Sequence, residues 1–279
     1  SANIVRGGDL RISDHGIDDV VRQVLLPVWN AYSFFTLYAN VDGHRATMRT
    51  DSPHLLDRYL LAKTRRLVES VQERMDAYDL PGATAEIQSF LDALNNWYIR
   101  RSRDRFWARA ATDPATDEAT AKRDAHDTLY TVLVTFCRVA APFLPMVAEE
   151  IHDGLVGDPS GSPDGGASVH LQDWPDADDM PFDSDLVDRM DRLRDVASTV
   201  LRLRENHGLR VRLPLSSLTV AGADSETLTD LLDLLVDEVN VKAVVLTDDL
   251  ESHARFVLRP DGRALGPRLG GDVQAVFAG

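Results

Sequence analysis

From Ile17 to about Asn40, apolar residues recur at Ile17, Val20, Val21, Val24, Val28, Tyr32 and Phe35, the three-and-four spacing of one helical face. Pro27 falls inside that run and predicts a kink. Ser52-Pro53 offers a cap and a first-turn proline for a second helix. That helix carries Leu56, Leu60, Leu67, Val71, Met75 and Tyr78, and Pro81-Gly82 stops it. In the third, Ile87, Phe90, Leu91, Leu94 and Tyr98 make a core-facing stripe, and the pattern ends near Ala111. A fourth helical region runs from about Ala119 to Leu155, interrupted at Pro142 and Pro145. Short connections between long amphipathic helices predict antiparallel neighbours in a bundle.

Residues 154–185 are rich in Gly, Pro, Ser and Asp and read as a crossing or linker, with one ordered island at Val169-His-Leu-Gln-Asp-Trp-Pro175. A fifth helix spans about Asp183 to Asn206, and His207-Gly208 ends it. The pattern then changes type. Ser217–Ala221 and Val241–Thr247 read as strands around a helix from Ser225 to Val239, with a third strand at His253–Arg259 and a last helix starting at Asp272. Residues 1–13 read as extended. The expected fold is mainly α: a bundle over residues 1–182, then a helix and small α/β module over 183–279, cut short at its far end.

A formal charge of −15 argues against indiscriminate binding to nucleic acid or membranes. The charge is uneven, however. Five arginines face one aspartate between Arg100 and Arg109, and four face one glutamate between Arg202 and Arg212. Screening confines fields to about 8 Å at physiological salt, so such islands can act locally. Cys137, the single cysteine, rules out an internal disulfide and a multi-cysteine zinc site, and implies a buried thiol in an intracellular chain. No run approaches a membrane span, and no signal peptide is apparent.

The basic island on the third helix carries the candidate chemistry. Asn96, Arg100, Arg103 and Trp107 follow at spacings of four, three and four, on a line roughly opposite the core stripe. An amide, two guanidinium forks and an indole on one exposed face can read unpaired bases and hold phosphates. A solvated face, its arginines paired with Asp92 or Asp104 and Trp107 closing the bundle end, is equally compatible with the spacing. Arg101 and Arg105 continue the core side instead, so they require buried partners. Phosphate-cradling glycine loops and His-Glu-x-x-His are both missing, and Glu149-Glu150 point different ways on a helix. From its residues alone the chain reads as a binding module.

Several ordered motifs then carry a resemblance. Asn95-Asn-Trp-Tyr-Ile-Arg-Arg-Ser-Arg-Asp-Arg-Phe-Trp107 resembles the anticodon-binding domain of isoleucyl-tRNA synthetases. So do Val20-Val-Arg-Gln-Val-Leu-Leu-Pro-Val-Trp-Asn-Ala-Tyr32, Ala141-Pro-Phe-Leu-Pro-Met-Val-Ala-Glu-Glu-Ile151 and Ser168–Pro175. Arg210-Val-Arg-Leu-Pro-Leu-Ser216, Asn240-Val-Lys242 and Ala264–Gly270 are similar to the family's small module after the bundle. His152 stands where the family often has tryptophan, and Gly271 where lysine is expected.

The class I signatures His-Ile-Gly-His and Lys-Met-Ser-Lys-Ser are missing, and the chain does not begin with Met. A piece of a longer enzyme, inactive alone, is therefore expected. The resemblance implies a parent that joins isoleucine to its tRNA with ATP and Mg2+; this piece itself would need no cofactor and no metal. Its implied partners are the anticodon arm of isoleucine tRNA and the parent's own catalytic domain, in a cytoplasmic monomer. The implied RNA contacts are Asn96, Arg100, Arg103, Trp107, Arg210 and Arg212, with Trp97 left to packing. A valyl-type relative and a helical scaffold that docks a protein are the competing readings.

Overall fold

A computed structural model describes residues 13–108, 116–157, 168–222, 224–253 and 270. The extended start at 1–12, most of the third strand and the last helix fall outside the described residues. Two compact units divide the chain, Ser1–Arg194 and Asp195–Gly279.

In the first unit, α1 covers residues 14–42 as Asp14–Val20 and Leu26–Asp42 joined by a π-helical turn, Val21–Leu25. Pro27 has no N–H to give the carbonyl four residues back. The chain widens just ahead of it, and the Leu26 N–H reaches Val21 O instead. Gly43, at φ 62°, closes the helix in the left-handed conformation that glycine takes without strain.

Helix α2 is Leu55–Asp76. Its N-cap is His54, which corrects the Ser52-Pro53 cap: Pro53 lies ahead of the helix. The Ser52 hydroxyl accepts from the His54 N–H and donates to the buried carboxylate of Asp57 at 2.6 Å.

Helix α3 covers residues 80–107 as Leu80–Asp92 and Arg100–Trp107, with a second π-helical segment, Ala93–Ile99, between them. It ends at Trp107, four residues before the expected stop. Helix α4 is Asp117–Ala140, and α5 is Pro145–Val156 with its proline in the first turn, where no N–H is missed. Gly154 belongs to α5 rather than to the linker. A Cβ there would collide with the Tyr32 hydroxyl of α1, so only glycine allows this approach.

The core lies between α2, α3 and α4, with α1 and α5 against them. All five residues of the α3 stripe are buried, Leu94 and Tyr98 completely. Each large apolar side chain so buried contributes about 1.5–3 kcal/mol.

Helix α6, Ser184–Asn206, begins in this unit. Asp191 accepts from Lys63 Nζ (2.6 Å) and Tyr59 Oη (2.8 Å) of α2, and Arg194 reaches Asp92 of α3 at 2.6 Å. Burial pushes the Asp191 carboxyl up, but Lys63, Tyr59 and Arg194 more than offset this and hold it below the usual range. These ties hold the first half of α6 to α2 and α3, and the two compact units meet at 194/195.

The second unit takes the rest of α6, strand β1 (Leu218–Ala221), helix α7 (Leu232–Val239) and strand β2 (Val244–Thr247). The strands pair in parallel, Leu218 facing Val244 and Ala221 facing Thr247. The crossover is the expected β-α-β, although Ser225–Leu231 is a 3-10 turn rather than α-helix.

Candidate nucleic-acid interface

The π-helical segment of α3 decides how its side chains are dealt out. Trp97, Tyr98 and Ile99 lie within it and are buried, and its widened turn shifts the residues that follow around the helix axis. Arg100 then resumes on the outside, its N–H bonded to Asn95 O five residues back. Trp97 is buried, and Arg101 stacks over its ring at 5.1 Å. Arg105 turns inward to Asp57 in a two-pronged pair, both contacts at 2.7 Å. Tyr98 Oη donates to the same carboxylate at 2.9 Å, and its proton is held well above the usual phenol range, first by burial and then by Asp57. Arg105 therefore meets a buried carboxylate, as its side of the helix required, whereas Arg101 rests against an indole.

The other line faces out. Asn96, Arg100, Arg103 and Trp107 are all exposed, the indole by 53%. Their polar groups differ in readiness. Asn96 donates to Asp92 Oδ1 at 2.6 Å, and Arg100 Nε donates to Asn96 O at 2.8 Å. The Trp107 indole N–H donates to Tyr38 Oη of α1 at 2.6 Å, which anchors one edge of a ring that stays about half exposed. Arg103 has no hydrogen-bond or ion-pair partner among the described residues. An exposed guanidinium held by nothing is a fork available to a carboxylate, a phosphate or a base edge.

Arg103 and Asn96 also border an open groove of about 510 Å³ between α1 and α3. Phe34, Leu91 and Ile99 line its apolar part, while Gln23, Asn30, Gln88 and Asn95 add amides and Arg22 a second cation. The π-helical turns of both helices contribute to the lining: Arg22 and Gln23 from one, Asn95, Asn96 and Ile99 from the other. Gln88 Nε2 donates to Gln23 Oε1, joining the two walls. Asp92 is the acidic member, and Arg194 offsets its charge. Arg100 and Trp107 stand outside this lining.

Asn30, exposed and without a partner among the described residues, was not singled out from the sequence. Its signal was present: seven residues after Gln23 and four before Phe34, it shares their face of α1.

Arg210 and Arg212 sit in the second unit, in the turn after α6. Both are exposed and neither has a side-chain partner among the described residues. Cys137 is buried, its thiol pushed up to about 12 by desolvation, so it stays protonated. His152 is buried in α5, its pKa lowered first by desolvation and then by Arg138. Among the described residues no cluster of three or more His, Cys, Asp or Glu could hold a metal ion, and no helix is long and apolar enough to cross a membrane.

An outward basic stripe thus lies on a helical bundle beside an amide-lined groove. The chain belongs to the anticodon-binding domain family of tRNA ligases, whose profile matches residues 57–219. Its relatives narrow this further. It is 48% identical over 277 residues to the isoleucine–tRNA ligase of Nocardia farcinica and 50% identical over 277 residues to that of Leifsonia xyli. Against the Mycobacterium tuberculosis enzyme the identity is 49% over 274 residues. These matches take in 98–99% of this chain and 24% of each relative, so the chain spans about a quarter of their length.

Proposed function

We propose that this chain is the anticodon-reading part of an isoleucine–tRNA ligase. The α1–α3 groove and the outer face of α3 grip the splayed anticodon loop. Asn96 and the groove amides meet base edges, Arg100 and Arg103 hold base edges or phosphates, and the fixed Trp107 ring offers a stacking surface. Arg210 and Arg212 add phosphate contacts from the second unit. The observation that carries this reading is Arg103: an exposed guanidinium with no partner among the described residues, on the rim of an amide-lined groove.

In this reading the parent enzyme attaches isoleucine to its tRNA in the cytoplasm as a monomer. ATP and Mg2+ serve its catalytic domain, and no residue of this chain is assigned to them. The chain alone forms no isoleucyl-tRNA.

The test is filter binding to transcribed isoleucine tRNA, with valine tRNA as competitor. Arg103→Ala is expected to weaken binding by about 1–3 kcal/mol if it reads a base, and by less with a shallower salt dependence if it holds a phosphate. Affinity that ignores salt between roughly 50 and 200 mM would remove phosphate contact from the account and favour a protein-docking scaffold. Preference for valine tRNA would move the assignment to a valyl-type parent.

A further inference from the structure

The turn after α6 is fastened from within. Arg204, in the last turn of α6, is 2% exposed. Its guanidinium donates to three main-chain carbonyls: Val239 at 3.2 Å, Arg210 at 2.6 Å and Leu213 at 2.5 Å. Among the described residues no carboxylate lies within ion-pair distance of it. A buried guanidinium without a counter-ion is costly unless strong acceptors surround it. Here Val239 O, at the C-terminus of α7, is one of the partially negative groups that a helix end leaves exposed.

Asn240, the left-handed cap of α7 at φ 51°, adds a fourth tie, its Nδ2 donating to Val211 O at 2.8 Å. Side chains thus capture the carbonyls of Arg210, Val211 and Leu213. The strip itself has little regular structure: Leu213 N–H turns back to Arg210 O, and only Leu215 makes a single parallel bridge, to Val241. With the backbone tethered inward by two side chains, Arg210 and Arg212 stand in solvent on a preset frame. A charge carried on a frame that is already ordered loses less conformational freedom on binding.

We infer that Arg204 and Asn240 are positioning residues that hold Arg210 and Arg212 ready for tRNA phosphates. The inference rests on the tRNA reading above and deepens it: two separated motifs, Arg210–Ser216 and Asn240–Lys242, act as one device, a contact strip and its clamp.

Filter binding of the whole chain to transcribed isoleucine tRNA, across roughly 50–200 mM salt, tests it. Arg210→Ala with Arg212→Ala is expected to lower affinity about tenfold and to take about 1.4 off the salt slope, roughly 0.7 for each single-strand phosphate released. Arg204→Met should reproduce part of both changes. Asn240→Gly should do so more mildly, since glycine keeps the left-handed backbone and removes only the amide. Added to the arginine double variant, Arg204→Met should change neither affinity nor slope further, because its whole effect runs through those two side chains.

Fully additive losses, or wild-type slopes in both positioning variants, would overturn the inference. If circular dichroism shows Arg204→Met unfolded, Asn240→Gly decides alone. Weakening by Arg103→Ala together with wild-type binding in the Arg210/Arg212 double variant would leave the tRNA reading standing and defeat this inference. Salt-independent binding by the unaltered chain would defeat both.

Discussion

His126 shows what burial does to one side chain in this bundle. It is 1% exposed, with its Nε2 3.2 Å from Asp42 and its ring edge-on to Phe106 at 4.8 Å. Desolvation is the main force lowering its pKa, and His44 and Lys122 push the same way. Asp42 opposes them, and the net value falls from 6.5 to about 4. Among the described residues Nδ1 has no hydrogen-bond partner, so a proton added there would find no acceptor among them. The unfolded chain takes up that proton as pH drops below about 6.5, whereas the folded chain waits until about 4. Stability contributed by neutral His126 is therefore complete above pH 6.5 and lost as pH falls toward 4, by on the order of 3 kcal/mol in all. Urea midpoints measured from pH 7 to pH 4 should fall less steeply in His126→Gln than in the unaltered protein. Parallel curves would contradict the assignment. Asp57 is the opposite case, a fully buried carboxylate satisfied by Ser52, Tyr98 and both prongs of Arg105. The need for such a partner was legible in the sequence, because Arg105 lies on an apolar side of its helix. Which carboxylate answered was not, since Asp57 is 48 residues away.

At the level of the helices, apolar spacing found each long helix among the described residues, because burying a stripe is what stabilises a helix in a bundle. It missed both π-helical turns. A period fixed at 100° has no room for an extra residue, and none of Val21–Leu25 or Ala93–Ile99 is unusual in helix propensity except for the proline that follows the first. The four-residue line of α3 nevertheless came out exposed. Helix ends were less legible, as Ser52 and Ala111 illustrate, because caps depend on geometry more than on composition. The end of α2 shows a local cost. It closes with Asp79 N–H on Arg74 O and Tyr78 N–H on Met75 O, placing Tyr78 at φ 56° where glycine is usual. Tyr78 is 91% exposed and buries almost nothing in return. Tyr78→Gly should therefore raise stability by about 1 kcal/mol, seen as a higher urea midpoint with unchanged slope; a lower midpoint would mean that the ring makes a contact worth more than the strain.

Over the whole chain, the change of pattern after residue 206 marked the second module, but the division itself was hidden. Helix α6 keeps one apolar period across Arg194, and it is the ties of Ser184, Asp188, Asp191 and Arg194 to α2 and α3 that mark its first half as part of the bundle. Composition separated global from local charge correctly: a molecule at −15 still presents arginines at the groove and after α6. The paired π turns beside the groove also bear on length variation. Each is one surplus residue in an otherwise α-helical rod, so dropping a residue there lets the ladder close regularly, whereas a loss elsewhere in α3 rotates everything beyond it by about 100°. A chain lacking Asn96 should keep Arg105 on Asp57 and melt closer to the parent than one lacking Ser89, yet bind tRNA less tightly. Gaps among related sequences should accordingly gather at these two turns, where shortening spares the scaffold and alters only what it reads.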